Sequence, residues 1–161
     1  MGLRFFVLVV KFLNLFCPVV KIYGNVEKKL YGIHWIASFS GCRGRVDSGK
    51  LVIDDARVLC GLICEGLVDI GANIFSKSIK QFEPQGVTVL VGITESHACA
   101  HSWPEDGFME FDFNTCNLDM DGNFLLDYIG KNIGASGCSF MKIMRYEDGS
   151  EISEKKYIFC Y

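Results

Sequence analysis

Residues 94–116 read TESHACAHSWPEDGFMEFDFNTC. Two runs within them, 98–103 and 109–115, read as strands, and Pro104-Glu105-Asp106-Gly107 between them carries the proline and glycine of a tight reversal. A hairpin here makes the sheet antiparallel. It also sets Ser96 and Cys116 at strand ends, where irregular backbone can expose side chains. The same stretch gathers Glu95 beside Ser96, two of the three histidines (His97 and His101), Trp103 before Pro104, and Cys116. An ordinary core strand has little use for so many reactive groups.

Working outward, residues 87–94 (VTVLVGIT) are nearly all apolar and read as a central strand that delivers the chain to Glu95-Ser96. Residues 74–82 form the strand before it, across the turn Glu83-Pro84-Gln85-Gly86. Further upstream, residues 30–42 alternate loosely and are rich in aromatic and β-branched side chains, which fits a strand ending at Gly41. The polar segment 43–50 reads as an exposed connection. A helix follows, with Asp54 and Asp55 in its first turn, Ala56, Cys60, Ile63, Leu67 and Ile70 along one face, and Gly71 at a left-handed C-cap. Gly61 and Gly66 inside it each cost about 1 kcal/mol against alanine, so packing must hold it. Downstream, Asp121 caps a second helix with Phe124, Leu125, Tyr128, Ile129 and Ile133 inward and Gly134 as its stop. Residues 138–146 and 156–161 close the fold around the hairpin signal Glu147-Asp148-Gly149-Ser150. The expected class is α+β, a two-layer sandwich of an antiparallel sheet with two helices on one face.

A chain of 161 residues fits one domain, expected over 27–161. Half of the residues are hydrophobic, which excludes a disordered chain, and a net charge of -3 gives no footprint for nucleic acid. The eight cysteines form no Cys-x-x-Cys pair, so reduced thiols in a cytoplasmic protein are the simpler reading. His97 and His101 share a four-residue spacing, but on a strand-like segment, and no metal is expected. Residues 1–26 are strongly apolar. Lys11 interrupts them short of the roughly 20 residues a membrane span needs, and no small-x-small cleavage site follows. They read as an extra strand, a dimer-covering segment or a misassigned start rather than an export signal, and no membrane partner is expected.

A serine in a strained turn can attack the carbonyl carbon before it and exchange the amide for an ester. Removal of its α-proton then eliminates the ester, and the dehydroalanine left behind hydrolyses to a pyruvoyl group. Glu-Ser alone does not demand this, and composition alone favours reading Phe82 and Trp103 as core aromatics. The wider pattern is more specific. Glu95-Ser96-His97, His101-x-Trp103-Pro104-Glu105 and Thr115-Cys116, with Phe82-x-Pro84-x-Gly86-Val87 and Leu30, Gly32, His34 and Cys42 upstream, resemble the bacterial and archaeal S-adenosylmethionine decarboxylase proenzymes.

That resemblance implies cleavage between Glu95 and Ser96, with Ser96 as precursor of a covalent pyruvoyl cofactor that forms a Schiff base with the substrate amine. It implies His101 in the processing proton transfers and Cys116 as proton donor in turnover, its thiol kept protonated by modest burial. Phe82 and Trp103 would lie against the adenosyl group, Glu105 would accept from ribose hydroxyls, and the substrate would be S-adenosylmethionine on the route to spermidine. A homodimer with sites near its interface is also implied. Four departures stand out. Ser38 replaces the acidic residue usual four positions before the cysteine matching Cys42. Thr88 stands where a serine assisting processing is common. The connection from Cys42 to Asp54 is long, and the N-terminal extension is atypical. Arginine or ornithine is therefore an alternative substrate, and an unprocessed regulatory homologue an alternative role.

Overall fold

The computed structural model of the chain describes residues 28–157. Within them the elements run β1 (Leu30–Ser40), α1 (Ala56–Asp69), β2 (Ile74–Gln81), β3 (Val87–Ile93), β4 (Ser96–Trp103), β5 (Phe108–Thr115), α2 (Gly122–Asn132), β6 (Gly137–Tyr146) and β7 (Gly149–Tyr157). Single turns of 3-10 helix stand at Val52–Asp54 and Pro104–Asp106. The described strands form one sheet in the order β2-β3-β4-β5-β1-β6-β7, antiparallel at every seam. No helix among the described residues is long and apolar enough to cross a membrane.

Alternation decides which side chains meet the helices. Ile33, Trp35, Ala37 and Phe39 of β1, Val87, Val89, Val91 and Ile93 of β3, and Met109, Phe111 and Phe113 of β5 are buried against Leu59, Ile63 and Leu67 of α1 and Leu125 and Ile129 of α2. Each of the valine, leucine, isoleucine, phenylalanine and methionine side chains among them contributes about 1.5–3 kcal/mol on burial. Trp35 stacks on Phe113 with ring centroids 5.4 Å apart. Both helices lie on this face. The other face carries Thr88, His97, Cys99, His101, Trp103, Glu110, Asp112 and Asn114, and no helix among the described residues covers it.

The expected class is what the chain adopts, and several local readings are refined. β3 lies second from one edge rather than at the centre, and Leu90 on its open face is 50% exposed. Asp54 belongs to the 3-10 turn ahead of α1, where Oδ1 accepts from Gly86 N at 2.9 Å and so latches the β2–β3 turn. Asp55 alone caps the helix, accepting from Arg57 N and Val58 N. In α2, Phe124 points outward at 48% exposure and Leu126 is buried in its place. Gly122 sets this phase, because it packs against the Trp35 indole with no room for a Cβ. Tyr128 sits between the two environments, part-buried, and Ile133 is buried as expected. β7 begins at Gly149 rather than at 156, since Glu147-Asp148 alone make the turn. The apolar extension at residues 1–26 and the final residues 158–161 lie outside the described residues.

The two helical glycines of α1 differ in kind. A Cβ on Gly66 would meet Leu125 Cδ1 and Tyr128 Cδ1 at 2.8 Å, while one on Gly61 meets nothing within 4 Å. Gly61→Ala is therefore expected to stabilise the protein by about 1 kcal/mol through helix propensity. Gly66→Ala should be roughly 1–3 kcal/mol less stable than Gly61→Ala because it overpacks the seam between α1 and α2. Urea denaturation midpoints of the two variants check this.

Candidate functional site

Thr94 and Glu95 form the two-residue loop between β3 and β4. Such loops prefer positive φ at their central residues, yet neither takes it, and the distortion falls on Ser96 with φ +151°. Among the described residues Ser96 is the one non-glycine residue with positive φ. A side chain in that region costs of order 1–3 kcal/mol and persists only where its surroundings over-determine it.

The surroundings do so through six contacts. Thr94 N donates to Asn73 O at 2.9 Å. The Glu95 carboxylate accepts from Asn73 Nδ2 at 2.8 Å and Asn73 N at 3.2 Å, and the Asn73 side chain is the main reason its pKa is lowered. Cys116 N donates to the Glu95 carbonyl oxygen at 3.0 Å. Asn114 Nδ2 donates to Ser96 Oγ at 3.2 Å, and His97 Nδ1 lies 3.1 Å from the same oxygen. The peptide between Glu95 and Ser96 is thus held at its carbonyl, while the neighbouring hydroxyl is held at Oγ. A cavity of about 180 Å³ opens over it, lined by Tyr31, Gly32, Asn114, Thr115, Cys116 and Arg145. Gly32 is required here, since a Cβ would approach Thr115 O to 2.8 Å. Cys116 is exposed in the single chain, not modestly buried as the sequence reading has it.

The remaining sequence candidates form a second group at the far end of β4. His101 Nδ1 lies 2.6 Å from Thr88 Oγ1, and its ring meets Trp103 edge-on at 4.4 Å and Phe82 at 5.8 Å. Glu105 accepts from Gln85 Nε2 at 2.9 Å, across the mouth of the β2–β3 turn. Five residue steps of extended strand lead from Ser96 to His101, about 17 Å at the usual rise per residue. One chain therefore brings Glu95, Ser96 and Cys116 together, and Phe82, His101, Trp103 and Glu105 together, but not the two groups with each other. The cross-strand register aligns Thr88, His101, Glu110, Ser38 and Ser139 in one row of the open face, so the exposed carboxylate of Glu110 stands opposite Ser38. A larger cavity of about 330 Å³ between α2 and β6, lined by Phe124, Cys138 and Phe140, contains none of these residues.

Between the groups lies a polar chain that sequence reasoning missed. Arg145 donates to His34 Nδ1 at 3.0 Å, and His34 Nε2 reaches Asp112 Oδ1 at 3.2 Å. Arginine can only donate, so Nδ1 accepts and Nε2 carries the proton, leaving the imidazole neutral. Cys99 Sγ donates to Asp112 Oδ2 at 3.6 Å, and burial, with Asp112 beside it, pushes the thiol up to about 11. Asn114 and Asn73 were missed too, and His97 was singled out in the sequence without a role. Plain alternation puts Ser96 and His97 on opposite faces, and only the distorted φ swings the hydroxyl toward the imidazole.

A family model described as S-adenosylmethionine decarboxylase matches residues 33–146, more than half of the chain. The chain belongs to that family. The S-adenosylmethionine decarboxylase proenzyme of Symbiobacterium thermophilum is 32% identical over 93 residues, 58% of this chain and 70% of that protein. The proenzyme of the same name from a Thermoanaerobacter species is 31% identical over 114 residues, 71% of this chain and 87% of that protein. The crystal structure of the adenosylmethionine decarboxylase of Aquifex aeolicus aligns with TM-score 0.59 and 26% identity, over 71% of this chain and 89% of that one. Every site residue named above, from His34 to Arg145, falls inside the family match, apart from Tyr31 and Gly32 at its edge.

The His34 network of this S-adenosylmethionine decarboxylase family member sets a pH dependence. Burial is the largest influence on His34 and lowers its pKa from the usual 6.5, with Asp112 opposing and Arg145 assisting. Around pH 6 the unfolded chain then binds more protons at this position than the folded one, so stability is full above the unfolded value and falls as pH drops toward the folded one. Equilibrium denaturation should show lower stability at pH 5.5 than at pH 7.5 (roughly one unit either side of the reference imidazole value), and His34→Gln should flatten that slope.

Proposed function

We propose that this chain is a self-processing S-adenosylmethionine decarboxylase that cuts its own backbone between Glu95 and Ser96 and serves the route to spermidine. The observation that carries this reading is the clamped, distorted Glu95–Ser96 peptide, whose carbonyl already accepts the Cys116 N–H at 3.0 Å. A preorganised donor at that distance supports the negative charge that develops on the carbonyl oxygen when a nucleophile adds to its carbon. The nucleophile in reach is Ser96 Oγ. The residues present fit a pyruvoyl group arising at Ser96, since Asn114 and the cavity beside Cys116 offer it hydrogen-bonding and thiol neighbours. Such a group supplies an electron sink for loss of carbon dioxide from an amino acid.

In this reading the Cys116 thiol returns a proton to the substrate carbon, and His101, oriented by Thr88, serves the proton transfers of processing. Phe82 and Trp103 receive the adenosyl rings and Glu105 the ribose hydroxyls. A cavity of about 180 Å³ is small for a nucleoside-sized ligand, which usually occupies some 300–1,000 Å³. A second copy set face to face on the open sheet, with β4 strands antiparallel, would lay His101 of the partner subunit near Ser96 and complete the site twice over. We therefore infer a homodimer. Glu110, in the row of His101, supplies a carboxylate for the cationic substrate where Ser38 has none, which favours S-adenosylmethionine over a changed substrate.

Intact mass spectrometry should find two fragments meeting at Glu95 and Ser96, the second lacking a free amino terminus. A single full-length chain after prolonged incubation would overturn the reading. Ser96→Ala should remain full length. In Cys116→Ala the backbone N–H persists, so cleavage should proceed while turnover drops roughly 10²–10⁴-fold. Carbon dioxide release should be greater from S-adenosylmethionine than from arginine or ornithine.

A further inference from the structure

Resting on the self-cleavage reading, we propose that His97 is the general base of its first step, the transfer of the Glu95 acyl group from the Ser96 nitrogen to the Ser96 oxygen. His97 Nδ1 lies 3.1 Å from Ser96 Oγ, within the reach a base needs. This is the one imidazole within hydrogen-bond distance of that oxygen among the described residues. His101 of the same chain is about 17 Å along the strand and, brought near Ser96 only by a second copy, is left to the later removal of the Ser96 α-proton, while His34 is engaged on both ring nitrogens by Arg145 and Asp112. The Glu95 carboxylate is turned away onto Asn73. Asn114 donates to Oγ at 3.2 Å and so leaves its hydroxyl proton free to point at His97.

The step balances within these groups. Ser96 Oγ–H gives its proton to His97 Nδ1 as the oxygen bonds to the Glu95 carbonyl carbon. The C=O electron pair moves onto the carbonyl oxygen, where the Cys116 N–H meets it. The pair then returns, the bond from that carbon to the Ser96 nitrogen breaks, and the nitrogen takes the proton from His97. An ester and a free amine result, with no external reactant. His97 is exposed and its ring meets only His34, centroids 6.5 Å apart, so its replacement removes little packing.

The deciding experiment follows self-cleavage of freshly prepared proenzyme by intact mass, for wild type, His97→Ala and His97→Gln. Far-ultraviolet circular dichroism verifies that each variant is folded. Both variants are expected to cleave at least about tenfold more slowly than wild type, within or below the usual 10²–10⁴-fold contribution of a base. Added imidazole should accelerate His97→Ala. Hydroxylamine, which cleaves esters, should release no fragments from either variant, because the ester has not formed. Glutamine can replace a hydrogen bond but not a base, so wild-type speed in His97→Gln would overturn the proposal. A His97→Ala rate equal to wild type, or a hydroxylamine-labile ester in either variant, would do the same. A wild-type chain that never cleaves would instead overturn the self-cleavage reading itself, and this proposal with it.

Discussion

Side chains on a strand alternate between two faces, and in this sheet the helices seal one of them. That constraint distributes everything else. β3, β4, β5 and β1 each send small or apolar residues inward and leave the histidines, Cys99, Asp112, Glu110 and Asn114 on the open side. Antiparallel register then lines these residues into transverse rows, so groups far apart in sequence face one another without any loop to carry them. Ser96, with its positive φ, departs from the alternation, and its departure is what creates a reactive neighbourhood.

The strain at Ser96 is maintained by ordinary hydrogen bonds made elsewhere. Asn73, just ahead of β2, grips both Thr94 and Glu95, while the residue after β5 grips the Glu95 carbonyl. The loop is caught between its two neighbours in the sheet, and the one residue free to absorb the mismatch is the serine. Its hydroxyl is then aimed by Asn114, which the ladder places directly opposite His97.

Much of this was legible in the sequence. The hairpin at Pro104–Asp106, the cap at Asp121, and the glycines 71 and 134 that stop the helices follow from local chemistry that no tertiary contact overrides. The Glu95, Ser96 and Cys116 grouping was readable because strand ends meet where hairpins are nested. Phe124 was misread because Gly122 against Trp35, a contact between distant elements, sets the helix phase. The contacts that His97 and Asn114 make to Ser96 were out of reach for a related reason: one depends on a single dihedral and the other on register. The 17 Å gap between Ser96 and His101 also required the strand to be seen as unbroken, since the motif's compactness in sequence implies a compactness in space that an extended chain does not have.

The strand order has a consequence for a chain cut between Glu95 and Ser96. The leading piece holds β1, α1, β2 and β3, and the trailing piece holds β4 to β7 with α2. Yet β1 lies between β5 and β6, so the leading piece is threaded into the middle of the trailing one as well as flanking it at β4. Three ladder seams, rather than one, would bind the pieces. Separation would require unzipping an interior strand on both sides, and reassembly after denaturation would become a bimolecular event whose midpoint shifts with protein concentration. Such a covalent break would thus convert a single-chain folding problem into an interlocked heterodimer without moving any strand.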